Sequence, residues 1–210
     1  MKSTLVNVLE RSSAGTKTSM LLLQDAATKL RQCCQNELAH DPTVNEDLSR
    51  YVPPQGADTF IFPQKLETVN FYNLHERILN FLDSQQPNPV LLLQGAVGTG
   101  KTLCGRYLEA FLWNKYHHNS DPIPLFISLP TFYQKHINIF AEENMNMNMN
   151  MNIIQRTLQD KGMDEPVINM LREKATFVIF LDGFDHVKTL YDNQNVHSQS
   201  NFYERFQLHK

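Results

Sequence analysis

The sequence from residue 89 to residue 102, Pro89-Val-Leu-Leu-Leu-Gln-Gly-Ala-Val-Gly-Thr-Gly-Lys-Thr102, joins an apolar run to a glycine-rich turn that ends in a lysine and a threonine. The run Val90–Leu93 is continuously apolar, which is typical of parallel strands buried on both faces. Gly95, Gly98 and Gly100 let the backbone curl with its N–H groups pointing inward, because glycine accepts a positive φ. The pattern predicts a strand, a phosphate-binding loop and a helix in succession.

Each part of this loop has a chemical role in the prediction. Phosphates at the start of a helix meet unpaired backbone N–H groups and the positive end of the helix dipole. Lys101 would bring a positive charge to the β- and γ-phosphates, and the Thr102 hydroxyl would coordinate Mg²⁺. The alternative is a glycine-rich turn with a surface lysine, which is disfavoured because strand and helix patterns flank the loop in the required order. The predicted nucleotide-binding residues are Gly95, Ala96, Val97, Gly98, Thr99, Gly100, Lys101 and Thr102.

The composition fits one medium-sized domain with an appendage. The chain has 210 residues, 41% of them hydrophobic, and a formal net charge of −3 without a dense lysine and arginine cluster. We therefore expect no nucleic-acid binding. The apolar runs are short and the N-terminus has no signal-peptide core, so we expect no membrane insertion and a cytoplasmic location. Three cysteines, two of them adjacent, are expected to be reduced, buried thiols.

Upstream of the loop the sequence predicts two helices and a connector. The first helix spans residues 18–38 and has one apolar stripe, so it either binds a partner, as in a coiled coil, or lies on its own domain, which is favoured. Prolines and a glycine in residues 50–63 indicate an irregular connector, and a helix follows at residues 71–82. Tyr51, Val52 and Phe71 are candidate contacts to a nucleotide base, although core packing is the favoured role for each.

Downstream of the loop, a helix is predicted to run to Tyr116, followed by a buried strand at residues 123–129 and helix-rich sequence to residue 174. A strict Asn-Met alternation at residues 144–152 is typical of low-complexity insertion. Residues 175–182 form a third apolar run that ends in Asp182. Ligands of open α/β sheets lie at the carboxyl ends of strands, so Asp182 would emerge beside the phosphate loop and hold Mg²⁺.

Together these segments resemble the NACHT-type NTPases of the signal-transducing STAND class. The resemblance covers residues 90–187 and rests on the loop, on the strand Ile123-Pro-Leu-Phe-Ile-Ser-Leu-Pro130, and above all on Phe177-Val-Ile-Phe-Leu-Asp-Gly-Phe-Asp-His186. It implies that Asp182 belongs to the family's second motif and that Asp185 is the remaining candidate for activating water. His186 departs from the family, which usually has glutamate there.

The resemblance also implies an organisation and a function. The fold would be an α/β P-loop NTPase with a parallel sheet flanked by helices, incomplete at its end and preceded by a helical extension. Residues 1–50 would form the helical segment, residues 51–88 the connector and helix, and residues 89–210 the NTPase part. The function would be an ATP- or GTP-controlled switch or scaffold that uses Mg²⁺, engages protein partners or itself, and hydrolyses slowly or not at all.

Two other classes of function remain open from the sequence. One is an enzyme proper, either a phosphotransferase or an AAA+-like ATPase, and the other is an inactive fragment with an intact loop. A phosphotransferase usually needs an arginine-bearing lid, and only Arg156 and Arg172 lie between the second and third predicted strands. In the family a further strand inserts between the loop strand and the strand of the second motif, and here it would lie beyond Lys210. The 210-residue chain alone is therefore expected to be poorly soluble or partly folded.

Overall fold

A computed structural model describes residues 3–57, 70–84, 90–142 and 153–184, with side chains described from residue 19 onward except at residues 42–43 and 137–142. The helices are α1 (Ser3–His40), α2 (Pro42–Ser49), α3 (Leu74–Leu82), α4 (Lys101–Lys115), α5 (Leu129–Glu142), α6 (Ile153–Asp160) and α7 (Glu165–Lys174). The strands are β1 (Gln55–Gly56), β2 (Tyr72–Asn73), β3 (Ile123–Ser128) and β4 (Phe177–Asp182). The described chain is thus a mixed structure of helices and small sheets. The Asn-Met alternation and Asp185 lie outside the described residues.

Short polar side chains start several of these helices. Asp41 accepts the Val44 N–H before α2, and Asp164 accepts the Val167 N–H before α7, each at 3.1 Å. Asn73 caps α3 in the same way. Each cap satisfies an N–H group that has no partner inside the helix.

The larger sheet consists of β3 and β4, which pair in parallel with Ile123 opposite Phe177 and Ser128 opposite Asp182. β3 is almost wholly buried and β4 is half-buried. The strand predictions at residues 123–129 and 175–182 are confirmed, as are the helix after the loop and the helix-rich segment between the strands. The predicted connector contains β1, which pairs in antiparallel fashion with β2. Because β2 takes residues 72–73 of the helix predicted at residues 71–82, α3 begins only at Leu74.

The prediction of a buried strand at Val90–Leu93 is wrong. Residues 90–96 have no regular secondary structure, and Val90, Leu91 and Leu92 are exposed rather than buried on both faces. The physical reason is pairing, because a strand needs a hydrogen-bonded neighbour, and neither β3 nor β4 pairs with these residues. The α/β character is therefore observed, whereas a P-loop NTPase sheet stays a prediction.

The largest core cluster joins the N-terminal helix to the rest of the described chain. The helix predicted at residues 18–38 extends back to Ser3, across a segment that contains no proline. Its apolar stripe packs against α4, β3, α6 and α7, so the favoured packing on its own domain is confirmed. The cluster contains Leu23, Ala26, Ala27, Leu30, Cys34, Trp113, Ile123, Leu158, Met163, Ile168, Leu171 and Ala175.

The edge of β3 that faces away from β4 is closed by side-chain chemistry. The Ile123 N–H donates to the Thr176 carbonyl, which leads into β4, so alternate residues of β3 face the opposite edge. Pro124 has no N–H to present there, and the Phe126 N–H donates to Glu109 Oε1 at 3.0 Å. This edge therefore offers no free N–H at either of these positions.

Candidate functional site

Two of the three glycines predicted to curl the loop adopt a positive φ. Gly98 and Gly100 have φ of 81° and 78°, in the left-handed region that favours glycine. A Cβ added at either position would meet no atom within 4 Å, so backbone conformation and not space requires glycine there. Gly95 is different, because its added Cβ would lie 2.8 Å from Thr99 Oγ1. The loop then enters α4 directly at Lys101.

Lys101 folds back across the loop. Its ammonium donates to the carbonyl oxygens of Gly95 and Ala96, both at 2.8 Å. The Thr99 hydroxyl also donates to the Ala96 carbonyl, at 2.8 Å. The lysine charge therefore lies against carbonyl groups of the loop that precedes α4.

The two residues predicted to coordinate Mg²⁺ lie next to each other in the fold. Thr102 is the second residue of α4, and Asp182 is the last residue of β4. The Thr102 hydroxyl donates to Asp182 Oδ2 at 2.9 Å, although the two residues are 80 apart in sequence. The hydroxyl and the carboxylate thus lie side by side at the start of the helix, as expected for a carboxylate at the carboxyl end of a strand.

These two oxygen donors fit a magnesium ion that takes its other ligands from phosphate and water. Mg²⁺ in nucleotide sites is commonly held by one or two protein oxygens and keeps several waters. In residues 19–184 where side chains are described, there is no group of three or more His, Cys, Asp and Glu that could hold a metal alone. A metal at Thr102 and Asp182 would therefore be bound together with its nucleotide.

The chain turns sharply after Asp182. Gly183 has φ of 79°, and Phe184 is exposed. Asp185, the candidate for activating water, lies beyond the described residues, so its position relative to the loop stays a prediction.

The three candidate base contacts fall into two groups. Tyr51 stacks on Tyr107 with ring centroids 4.2 Å apart, and burial raises the pKa of its hydroxyl. Its favoured core role is confirmed. Val52 and Phe71 are 80% and 48% exposed, so the core role favoured for these two is wrong.

The cysteine prediction holds for two thiols of three. Cys34 and Cys104 are buried and free, whereas Cys33 is half-buried and also free. Burial raises the pKa of Cys34, with the neighbouring Glu109 carboxylate as the next cause. Both effects disfavour the thiolate, which is the nucleophilic form of a cysteine.

A buried carboxylate on α4 is the main feature that the sequence analysis missed. Glu109 is 1% exposed, accepts the Phe126 N–H, and accepts Arg106 Nη1 on its second oxygen at 3.0 Å. Burial raises the pKa of Glu109, while Arg106 and the Phe126 N–H oppose that shift. Arg106 also lies over the Phe126 ring, 3.9 Å from its centroid. The available signal was an acid and an arginine three residues apart in the largely apolar middle of the helix.

Comparison with protein-family models, with curated proteins and with solved structures gave no match for the chain. Among the described helices, none combines the length and the hydropathy that crossing a membrane would require.

Proposed function

We propose that the protein binds a Mg²⁺-nucleoside triphosphate at residues 95–102 and acts as a NACHT-type nucleotide-dependent switch or scaffold. ATP is the proposed nucleotide, with GTP as the alternative. The observation that carries the proposal is the 2.9 Å hydrogen bond between Thr102 and Asp182 beside the glycine-rich loop. A surface turn with a lysine gives no reason for a carboxylate 80 residues away to meet the first turn of the following helix.

Each group then has a distinct task. The N–H groups at the start of α4 receive phosphate oxygens, and Lys101 moves its ammonium from the carbonyls of Gly95 and Ala96 to the phosphates. Thr102 and Asp182 hold the metal ion, which neutralises phosphate charge when bound. Hydrolysis is proposed to be slow, because Asp185 is followed by His186 where a second acid is typical of the family.

Two lysines of the same helix make a matched experiment. Lys101 begins α4 at the loop, and Lys115 ends it with its ammonium 4.6 Å from the Phe111 ring centroid. Fluorescent ATP and GTP analogues would be titrated against wild type, Lys101→Ala and Lys115→Ala, with Mg²⁺ and with a chelator. We expect Lys101→Ala to weaken binding by more than about tenfold, since hydrogen bonds to charged groups contribute about 1.5–3 kcal/mol each.

The control and the metal prediction complete this test. Lys115→Ala should retain wild-type affinity, and Asp182→Asn should lose most of the Mg²⁺ dependence. Equal affinity of wild type and Lys101→Ala would contradict the proposed function, as would affinity that the chelator leaves unchanged.

A further inference from the structure

One guanidinium connects the nucleotide helix α4 to the N-terminal helix α1. Arg106 Nη1 donates to Glu109 Oε2 at 3.0 Å and to Glu37 Oε2 of α1 at 3.1 Å. Glu109 in turn receives the Phe126 N–H of β3. These contacts therefore connect α1 to the sheet through α4, by way of Glu37, Arg106 and Glu109.

The same stretch of α1 is fastened to the turn after α6. Lys161 Nζ donates to the other oxygen of Glu37, and Lys29 Nζ donates to the Gly162 carbonyl. Cys33 lies between Lys29 and Glu37 on the same face of α1, and its Sγ is 3.8 Å from the Lys161 carbonyl oxygen. The contacts of Glu37 thus sit within a larger docked surface that also contains the apolar core cluster.

The loop side of α4 is held much more lightly. Residues 94–100 are exposed, and the segment before them has no strand partner in the described chain. Besides the Thr102–Asp182 hydrogen bond, the position of the helix's first turn depends on contacts along the rest of α4. Arg106 lies four residues after Thr102, about one turn and about 6 Å along a rigid helix. A helix fixed at Arg106 and Glu109 presents its first N–H groups and Thr102 in one place relative to Asp182.

We propose that Glu37 and Arg106 are positioning residues for the nucleotide site, so that docking of α1 on α4 raises the affinity for Mg²⁺-nucleoside triphosphate. This inference rests on the proposed function. Binding sites that are already in the bound geometry lose less free energy to ordering. Coupling between two sites is reciprocal, so a bound nucleotide must also hold α1 more firmly.

The first test compares two glutamates of the N-terminal helices. Glu37→Gln removes the charge that Arg106 and Lys161 share, whereas Glu46→Gln breaks only the exposed Glu46–Arg50 pair of α2. With a fluorescent ATP analogue and Mg²⁺, we expect Glu37→Gln to bind at least about fivefold more weakly than wild type and Glu46→Gln to match wild type. Glu37→Asp, which keeps the charge, should recover part of the affinity.

The second test uses the wild-type chain only, so it does not depend on how any variant folds. Trp113 is the only tryptophan and is buried in the core cluster with α1, which makes its emission a reporter of docking. Saturation with Mg²⁺ and unlabelled ATP, and in parallel GTP, should slow amide hydrogen exchange at residues 23–38 and change the Trp113 emission. A purely structural role of Glu37 predicts the same exchange with and without nucleotide.

The outcomes separate the two proposals. If wild type binds neither analogue, or binds as Lys101→Ala does, the proposed function fails and the positioning role fails with it. If wild type binds and Glu37→Gln behaves as Glu46→Gln, only the positioning role is overturned. Unchanged or faster exchange at residues 23–38 on nucleotide binding would overturn it as well.

Discussion

Side chains at two positions of helix α4 make hydrogen bonds to the sheet, and these two attachments differ in almost every physical respect. At its start, the Thr102 hydroxyl meets Asp182 at an exposed site, next to a loop whose residues are all exposed. Two turns later, Glu109 is buried and both of its carboxylate oxygens are satisfied, one by Phe126 of β3. The first attachment leaves its groups accessible to a ligand, whereas the second excludes water and fixes the helix.

The largest expected effect is on stability and comes from the buried attachment. Glu109→Ala leaves the Phe126 N–H without its acceptor and Arg106 with Glu37 as its remaining carboxylate. We expect a loss of about 3 kcal/mol in the free energy of unfolding, since breaking a buried charged pair is strongly destabilising. Thr102→Ala removes an exposed hydrogen bond and should cost about 1 kcal/mol or less.

Chemical denaturation of both variants measures this difference, with Glu109→Gln as the matched control. Glutamine can still accept the Phe126 N–H, so its loss should fall between those of the other two variants. Equal losses for Glu109→Ala and Thr102→Ala would show that the two attachments are energetically alike.

The exposed attachment could be predicted from the sequence, whereas the buried one could not. The loop, Lys101, Thr102 and Asp182 are recognisable because exposed chemistry needs particular residue types at fixed spacing. Glu109 is not recognisable in this way, because a carboxylate on a helix normally indicates a solvent-facing position. Its burial depends on an arginine one turn away, which the sequence does show, and on a backbone N–H of β3, which no local pattern reveals.

Helical spacing alone does not identify the buried face of α4 either. Leu103 and Phe111 are apolar and lie at helical spacing, yet both are only partly buried. The fully buried positions of α4 are Cys104, Leu108, Glu109 and Trp113. The strand prediction at Val90–Leu93 was wrong for a related reason. An apolar run becomes a strand only if another strand pairs with it.

A smaller effect is expected at the turn that begins α4. Gly100 has φ of 78°, which costs a residue with a Cβ about 1 kcal/mol, and asparagine less than alanine. Gly100→Ala should therefore lower the free energy of unfolding by about 1 kcal/mol, and Gly100→Asn by less. Thermal unfolding of both variants measures this. Identical losses would indicate that the left-handed conformation is not what requires glycine.

The smallest expected effect lies just beyond the end of α4. Asp121 accepts the N–H groups of His117 and His118, both at 2.8 Å, and these bonds lower the pKa of its carboxyl. A lowered pKa means that the stabilisation is present above the unfolded pKa and is lost as the pH falls through the folded pKa. Wild type should therefore lose stability more steeply than Asp121→Asn below about pH 4. Parallel curves in denaturant titrations at decreasing pH would contradict this.

The closed edge of β3 limits how copies of this protein could associate. A symmetric dimer formed by joining two identical strand edges requires alternating free N–H and C=O groups along the edge. On β3 that series is interrupted twice, by Pro124 and by the Glu109 carboxylate on the Phe126 N–H. An intermolecular sheet that includes β3 and β4 would therefore add its next strand at the edge of β4 that is free in the described chain, and not at β3. Such a sheet could grow from one edge only.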